Sequence, residues 1–239
     1  MASTDVSPEQ YKAIKDVVLT DFIDKNGETT FKAHELWKEK PAIVIVIRRP
    51  GCPFCREEVR ILDEHRNIIE KQMGFRMAVV LHEKLGATTF KRDYWNGGET
   101  YWDESKGFYK ALGGGQLRWA SLDQLIRPSL WFNAIRNLRS GVRGNLLVGE
   151  GRIFGGLYIV RKGDEGIAYK FEETVLGNIA PIGDILKVCS DISGVDLTEA
   201  SVQRAKAQEA QVQERADAAA AKGQTECNSD VCEFPPSKL

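Results

Sequence analysis

The chain has 239 residues, 42% of them hydrophobic and 28% charged, which is typical of a folded globular protein and not of a disordered one. Its 33 Lys and Arg residues nearly balance its 34 Asp and Glu residues, so the formal charge of −1 argues against a nucleic-acid partner and against a broad basic surface for an anionic bilayer. No apolar run approaches the ~20 residues of a membrane-spanning helix, and charges interrupt the opening segment where a secretory signal would need an apolar stretch. We expect no membrane span and no entry into the secretory pathway.

The first half of the chain predicts a strand–helix–strand unit. Residues 13–37 are expected to form two short extended segments around a turn, followed by a helical stretch. Residues 43–47 are five consecutive β-branched residues, which predict a strand buried on both faces. Apolar residues at helical spacing predict a helix from near residue 52 to residue 72, and residues 75–81 predict the next strand.

The second half predicts shorter elements and then a change of composition. In chain order these are a helix over 88–94, a strand over 99–102, a helix from Asp103 to residue 112, an amphipathic helical region over 117–138 that Pro128 interrupts, a hairpin of residues 157–160 and 167–171, and a helix over 182–192. Further on, the chain is rich in Ala, Gln, Glu and Arg, with few large apolar residues to bury. We therefore expect a folded domain over 1–196, a helical extension over 197–222 and a flexible tail over 223–239.

The cysteines indicate a redox centre. Five cysteines in a chain of this length, Cys52, Cys55, Cys189, Cys227 and Cys232, do not suit a secreted disulfide framework. In a reducing compartment, a close cysteine pair is typical of a redox centre or of half a zinc site. Zinc would need two further ligands at suitable spacing, and the remaining cysteines and the three histidines are scattered. We expect neither a metal nor another bound cofactor.

Cys52 and Cys55 lie where the predicted buried strand ends and a helix begins. Unpaired backbone N–H groups and the positive end of the helix dipole lower the pKa of a thiol at such a position. Nearby arginines add positive charge, and Arg56 is a candidate for stabilising the thiolate, although it also fits an exposed charge on the helix surface. The three-residue spacing places both sulfurs on one side of the first turn, where they can form a disulfide.

Two segments together resemble a known family. They are residues 43–58, which include the Cys-Pro-Phe-Cys motif, and the glycine-rich stretch that holds Gly-Asn-Leu at 144–146, Gly-Glu-Gly at 149–151 and Gly-Gly-Leu-Tyr-Ile-Val at 155–160. Smaller matches are Phe-Tyr at 108–109 and Trp-Phe-Asn-Ala at 131–134. They resemble the peroxiredoxin-like 2 family of AhpC/TSA-type proteins, which includes selenoprotein U and prostamide/prostaglandin F synthase, and the similarity covers about residues 15–193.

The resemblance implies an α/β, thioredoxin-like (peroxiredoxin-like) fold, in which helices flank a central mixed sheet, with a helical or flexible C-terminal extension. It also implies an antioxidant type of activity in which Cys52 and Cys55 reduce a peroxide or a disulfide. Aligned with the peroxiredoxin motif Pro-x-x-x-Thr/Ser-x-x-Cys, the chain has Arg48 at the Pro position and Cys52 at the Thr/Ser position. Because Cys52 lies nearer the helix start, it is expected to attack in disulfide exchange. In a peroxide reaction, the alignment matches Cys55 to the peroxidatic cysteine with Cys52 resolving, and the sequence leaves both assignments open.

We expect a thiol-dependent oxidoreductase that takes its electrons from an external reductant such as thioredoxin or glutathione. The alternatives are a protein dithiol–disulfide exchanger without peroxidase activity and a non-catalytic, redox-sensing binding module. The resemblance alone suggests a third, the reduction of a prostaglandin-like endoperoxide. The Trp and Phe residues between 117 and 132 are expected in the core, although they could instead form an apolar wall for a lipid-like substrate.

The last residues carry a targeting motif. Ser237, Lys238 and Leu239 match the tripeptide that the peroxisomal import receptor recognises, so we expect a peroxisomal location with that receptor as a partner. Cys227 and Cys232 precede the motif. They fit two exposed thiols, an internal disulfide, or a relay that reduces a Cys52–Cys55 disulfide.

Overall fold

A computed structural model of the protein describes residues 2–3, 6–23, 27–121, 128–145 and 149–197, and its central feature is a mixed β-sheet. The strands within these ranges are β1 (Ala2–Ser3), β2 (Val18–Asp21), β3 (Thr29–Lys32), β4 (Ala42–Val46), β5 (Arg76–Leu81), β6 (Glu99–Trp102), β7 (Gly156–Val160) and β8 (Ile167–Glu172). The helices there are α1 (Pro8–Lys15), α2 (Pro53–Glu64), α3 (Ala87–Tyr94), α4 (Gly107–Leu112), α5 (Pro128–Ser140) and α6 (Ile182–Ser193), with a 3₁₀ turn at Ala33–Leu36 and a π-helical turn at Asn67–Gln72.

The sheet order is β1-β8-β7-β4-β5-β6-β2-β3. β4, β5 and β6 run parallel to one another, while β7 pairs antiparallel with β4 and with β8. The hairpin predicted around residues 162–166 is therefore confirmed, and β4, β7 and β5 are neighbours at the centre of the sheet. Helices flank the sheet, and the predicted thioredoxin-like α/β fold is confirmed.

β4 is buried on both faces, as its unbroken β-branched sequence predicts. Ile43 and Ile45 pack into one hydrophobic cluster with apolar residues of α2, α3 and α6. Val44 and Val46 pack into a second cluster on the opposite face, with residues of α1 and α4. Because the whole strand is inside, the residues that follow it are positioned by a rigid part of the molecule.

The helix predicted over 52–72 is interrupted at His65. α2 ends at Glu64, and the Nδ1 of the buried His65 donates a hydrogen bond of 2.9 Å to the carbonyl of Ile61. A π-helical turn follows, in which the N–H of Met73 bonds to the carbonyl of Ile68 across five residues. The wider turn keeps Ile69 and Met73 in the core although the α-helical spacing has been broken.

The helix predicted over 117–138 is also wrong in its first part. Trp119 forms an isolated antiparallel bridge with Ile153, and the N–H of Ala120 bonds to the carbonyl of Arg152, so this segment is extended. α5 begins at Pro128, a position that suits proline because the first N–H of a helix has no partner within the helix. The predicted interruption at Pro128 is therefore a helix start.

In the described part of the chain, no helix has the length and apolar character that crossing a membrane requires. The description ends at residue 197, shortly after α6 and its left-handed Gly194. The predicted helical extension over 197–222 falls outside it apart from its first residue, and the predicted tail over 223–239 falls outside it entirely.

Candidate functional site

The cysteine pair lies at the junction of β4 and α2. Cys52 is the N-cap residue of α2, with extended backbone angles, and its carbonyl accepts the N–H of Arg56 at 3.1 Å. Pro53 is the first helical residue, where a missing N–H costs no hydrogen bond. Cys55 follows within the first turn, and both cysteines are free thiols with little exposure.

A buried arginine contacts the first sulfur. Nη2 of Arg48 donates a hydrogen bond of 3.1 Å to Sγ of Cys52, and Nη1 donates one of 3.3 Å to the carbonyl of Gly151. On its other side, Nε of Arg48 lies 3.1 Å from Oε2 of Glu173. The Arg48 and Glu173 side chains are only 5% and 7% exposed, so water screens the ion pair weakly. Arg48 therefore supplies a fixed positive charge at Cys52.

The two thiols have opposite pKa shifts. Burial alone would raise the pKa of Cys52, but a hydrogen bond from the Cys55 thiol, the charge of Arg48 and the backbone N–H groups of Cys55 and Phe54 outweigh it and lower that pKa to about 5. Burial and the neighbouring Cys52 raise the pKa of Cys55 well above its ordinary value. Near neutral pH, Cys52 is therefore the thiolate and Cys55 keeps its proton.

Arg56, the arginine chosen from the sequence, makes different contacts. Its Nε donates to the carbonyl of Pro50 at 2.8 Å, and its Nη1 donates to the carbonyl of Arg143 at 2.7 Å. Its guanidinium also lies 4.6 Å from the ring centroid of Tyr94. These contacts hold the loop after α5 against the start of α2, whereas the guanidinium that contacts the sulfur of Cys52 is that of Arg48. The catalytic role of Arg56 stays a prediction.

Cys52 lies in a groove with a volume of about 1380 Å³. One wall is α5, which contributes Leu130, Trp131, Ala134 and Leu138. The other walls include residues 141–144 and 149–152, and Cys52, not Cys55, is among the lining residues. An external reactant can thus approach the first sulfur along a mainly apolar surface.

The apolar residues of α5 face outward. The expectation that the Trp and Phe residues between 117 and 132 lie in the core is wrong for all three. Trp131 and Phe132 are 63% and 72% exposed, and Trp119 is half exposed. The buried face of α5 carries polar side chains instead, because α2 and the loop after β8 offer them partners. Asn137 donates to the carbonyl of Pro53 at 3.0 Å, and Arg136 binds both carboxylate oxygens of Glu57, at 3.0 and 3.2 Å.

Two buried carboxyl groups behind the cysteines were missed by sequence reasoning. Glu173 follows β8 and accepts N–H groups from Gly155 at 3.2 Å and Gly177 at 2.8 Å. Glu58 accepts the N–H of Ala180 at 3.3 Å. A signal for Glu58 was present in the sequence, because it falls on the same helical stripe as Cys55, Val59 and Leu62, where an apolar residue would be expected. Glu173 had no such signal.

The glycine-rich segment allows close packing around this site. A Cβ atom on Gly155 would lie 2.1 Å from the carbonyl oxygen of Val46, and one on Gly144 would lie 2.5 Å from Pro53 Cδ. Glycine at these positions lets β7 and the loop after α5 approach the two sides of the cysteine junction. This explains why the cysteine motif and the glycine-rich motif occur together.

Several predicted features lie outside the described residues. They are the tail cysteines Cys227 and Cys232 and the terminal residues Ser237, Lys238 and Leu239, so the relay, the peroxisomal location and the import receptor stay predictions. Over the ranges that are described, no three His, Cys, Asp or Glu side chains come together in a way that could hold a metal ion. Cys189, the fifth cysteine, is buried in α6.

Known proteins resemble the chain in sequence. It is 33% identical to Peroxiredoxin-like 2A of Gallus gallus over 163 residues, which cover 68% of this chain and 70% of that protein. It is 34% identical to Peroxiredoxin-like 2A of Homo sapiens, again over 163 residues, covering 68% of this chain and 69% of the relative. The chain belongs to the peroxiredoxin-like 2 family. Membership supports a function like that of a thiol oxidoreductase on a thioredoxin-type fold.

Two further comparisons describe the family's scaffold. The model of the AhpC/TSA antioxidant enzyme family matches residues 62–175, a range that begins after Cys55. Among solved structures, a provisionally assigned thioredoxin reductase from Burkholderia cenocepacia superimposes with a TM-score of 0.50 at 16% identity, covering 73% of this chain and 93% of that one. This likeness concerns the fold alone.

Proposed function

We propose that this member of the peroxiredoxin-like 2 family is a thiol-dependent oxidoreductase that reduces a disulfide or a peroxide, with Cys52 as the attacking thiolate and Cys55 as its partner. The observation that carries the proposal is the 3.1 Å contact between Arg48 and Cys52 at the start of α2. A buried cation and a helix N-terminus at one sulfur favour the thiolate, which is the nucleophile in both reactions.

With a disulfide substrate, the thiolate of Cys52 attacks one sulfur, and the electron pair of the broken S–S bond leaves with the other. Cys55 then loses its proton and attacks Sγ of Cys52, so the mixed disulfide breaks and a Cys52–Cys55 disulfide forms. With a peroxide, Cys52 attacks one oxygen, an alcohol or water leaves, and the resulting sulfenic acid condenses with Cys55 to release water. In either case, two electrons pass to the substrate and an external thiol must return them.

Accessibility supports this order of attack. Cys52 lines the large groove, whereas Cys55 lines a much smaller cavity of about 10 Å³. A reactant in the groove meets Cys52 first, and Cys55 is positioned to resolve the product. The alternative in which Cys55 is the peroxidatic residue would require a route to the far side of the pair.

A trapping experiment tests the proposal. In the full chain carrying Cys227→Ser and Cys232→Ser, Cys55→Ser should hold the mixed disulfide with an oxidised thiol such as glutathione disulfide, detected as an adduct by intact mass, and Cys52→Ser should form none. The same chain with Cys52 and Cys55 intact should lose two hydrogens with stoichiometric hydrogen peroxide, and neither single variant should. If Cys52→Ser retained the adduct and the disulfide, another cysteine would be the nucleophile and the proposal would fail.

The same proteins also distinguish the proposed function from its alternatives. Reduction of disulfides with negligible turnover of hydrogen peroxide would identify a dithiol–disulfide exchanger. Formation of the Cys52–Cys55 disulfide without turnover of either oxidant would identify a non-catalytic, redox-sensing binding module and contradict the proposal.

A further inference from the structure

Behind Cys55, two carboxyl groups share a small cavity. Glu58 lies one helical turn beyond Cys55 on α2, and Glu173 lies after β8. Together with Cys55 and Arg48 they line a cavity of about 10 Å³. That volume is at the lower limit for one water molecule. A proton on Cys55 therefore has a polar neighbourhood that includes both carboxyl groups.

The two carboxyl groups are held differently. Glu173 is fixed by the N–H groups of Gly155 and Gly177 and by the ion pair with Arg48, all of which favour its charged form. Glu58 has the N–H of Ala180 on one oxygen. Burial raises the pKa of Glu58 to about 8, with the N–H of Ala180 opposing the shift and Glu173 adding to it. Burial also raises the pKa of Glu173, although Arg48 and the two N–H groups oppose that shift. Glu58 is held by fewer contacts than Glu173, so it is the carboxyl group better placed to change protonation near neutral pH.

The surroundings of Glu58 link this change to the state of Cys52. Charged or titratable groups act on Glu58 or face it from several elements. They are Cys55 on α2, Arg48 after β4, Tyr169 on β8, Glu173 after β8 and Arg136 on α5. While Cys52 is a thiolate, its negative charge offsets that of Arg48. Once Cys52 is bound in a mixed disulfide, the charge of Arg48 acts on the buried carboxyl groups and favours ionised Glu58.

We propose that Glu58 is the proton acceptor for Cys55 in the second step of the reaction proposed above, on which this inference rests. The Cys55 proton passes to the Glu58 carboxylate, directly or through one water in the shared cavity. The sulfur electron pair of Cys55 forms the bond to Sγ of Cys52, and the bond from Cys52 to the substrate breaks, with its electron pair leaving on the substrate sulfur. When an external thiol later reduces the disulfide, Glu58 returns the proton.

A two-phase titration with an aromatic disulfide, dithiobis-nitrobenzoate, tests Glu58 in the full chain carrying Cys227→Ser and Cys232→Ser. Attack by Cys52 releases the first coloured thiolate, and resolution by Cys55 releases the second. Glu58→Gln should keep the first rate within about twofold and slow the second by about tenfold or more, as for the loss of a proton acceptor. The remaining second rate should rise in proportion to hydroxide, and Glu58→Asp should restore part of it. Glu64→Gln, the same change at a partly exposed position of the same helix, is the matched control.

An unchanged second phase in Glu58→Gln would overturn the inference, and so would equal slowing of both phases, since that would indicate a structural role. Failure of the proposed function looks different. In that case the first phase would persist in Cys52→Ser, whatever residue stands at position 58.

Discussion

Arg48 is the residue on which the chemistry of the cysteine pair depends most directly. It follows the buried strand β4, and its guanidinium lies between Sγ of Cys52 and the carboxylate of Glu173. A charge held in this way cannot move away from the sulfur, unlike that of an exposed arginine on a flexible side chain. Burial raises the pKa of Cys52, and this is the largest single effect. The hydrogen bond from Cys55, the charge of Arg48 and the helix N–H groups, in decreasing order, together outweigh it and make the pKa low.

Replacing Arg48 by Met should make Cys52 a poorer nucleophile at neutral pH. Loss of an opposite charge within contact distance should raise its pKa by roughly one to three units. The measurement is the pH dependence of Cys52 alkylation by iodoacetamide, whose midpoint in the wild type should lie near pH 5. Arg56→Met serves as the comparison, with a midpoint expected close to that of the wild type. If the alkylation midpoint shifted more in Arg56→Met than in Arg48→Met, Arg56 would be the residue that stabilises the thiolate.

Glu58 makes stability depend on pH in a direction that can be predicted. Burial raises its pKa from 4.5 to about 8, so its contribution to stability is complete below about pH 4.5 and is lost as the pH rises through about 8. Glu58→Gln removes this dependence. The free energy of unfolding of the variant minus that of the wild type should therefore increase between about pH 5 and pH 8, measured by urea denaturation of the reduced proteins. For Glu64→Gln the difference should stay constant, and a constant difference for Glu58→Gln would show that Glu58 is not buried as a neutral acid.

At this scale, sequence reasoning found the sulfurs but only part of their surroundings. The location of Cys52 and Cys55 between strand and helix follows from local patterns, because both elements have strong periodicity. Arg48 was visible as one of several arginines near the pair, and choosing it requires knowing that Glu173 lies on its other side. That contact joins residues 125 positions apart in the sequence (173 minus 48), and no local pattern encodes it.

At the scale of elements, α5 is unusual because its buried face is polar. Arg136, Asn137 and Asn133 bond to α2 and to the loop after β8, and they hold the helix beside the cysteines. Periodicity shows that a segment has two faces but not which one turns inward. The outward face was therefore assigned wrongly from the sequence, since the partners of the polar face lie in distant segments such as Glu57.

Arg136→Ala should weaken the packing of α5 against α2 and lower the stability of the protein. Glu57 is only 3% exposed in its side chain, and removing its bidentate partner leaves a buried carboxylate with Asn137 as its remaining side-chain contact from α5. We expect the free energy of unfolding to fall by about 2–3 kcal/mol, somewhat below the value for a fully buried pair because Arg136 is partly exposed. Arg92→Ala, which removes a largely exposed ion pair on α3, should change it by no more than about 0.5 kcal/mol. Equal effects of the two variants in urea denaturation would contradict the role of the Glu57–Arg136 pair.

For the whole molecule, the fold was the most predictable property. Buried β4, the crossover to β5 and the hairpin of β7 and β8 each have a local signature, and together they specify the centre of the sheet. The groove was not predictable, because its walls come from α5 and from two loops whose mutual distance depends on tertiary contacts. The close approach of backbone segments at Gly144 and Gly155 also emerges only from the structure.

The groove should select reactants by their apolar surface. Trp131 and Leu138 line it and are mostly exposed, so an apolar group beside the reacting bond can cover them. The double variant Trp131→Ala, Leu138→Ala should reduce the second-order rate constant for a bulky aromatic disulfide by about fivefold to tenfold, because roughly 1 kcal/mol of apolar contact is lost. The rate constant for a small polar disulfide such as cystamine should stay within about twofold. If both substrates slowed equally, the variant would have disturbed Cys52 and not the groove.

The outward orientation of Trp131 has a spectroscopic consequence. Trp37 and Trp95 are fully buried, while Trp131 lies at the groove with 63% of its surface in contact with solvent. Its indole fluorescence is therefore expected to respond when a molecule covers the groove, shifting to shorter wavelength as water leaves the ring. Because Trp131 and Cys52 line the same groove, the chain offers an intrinsic optical signal of groove occupancy, and binding can be followed without an external dye.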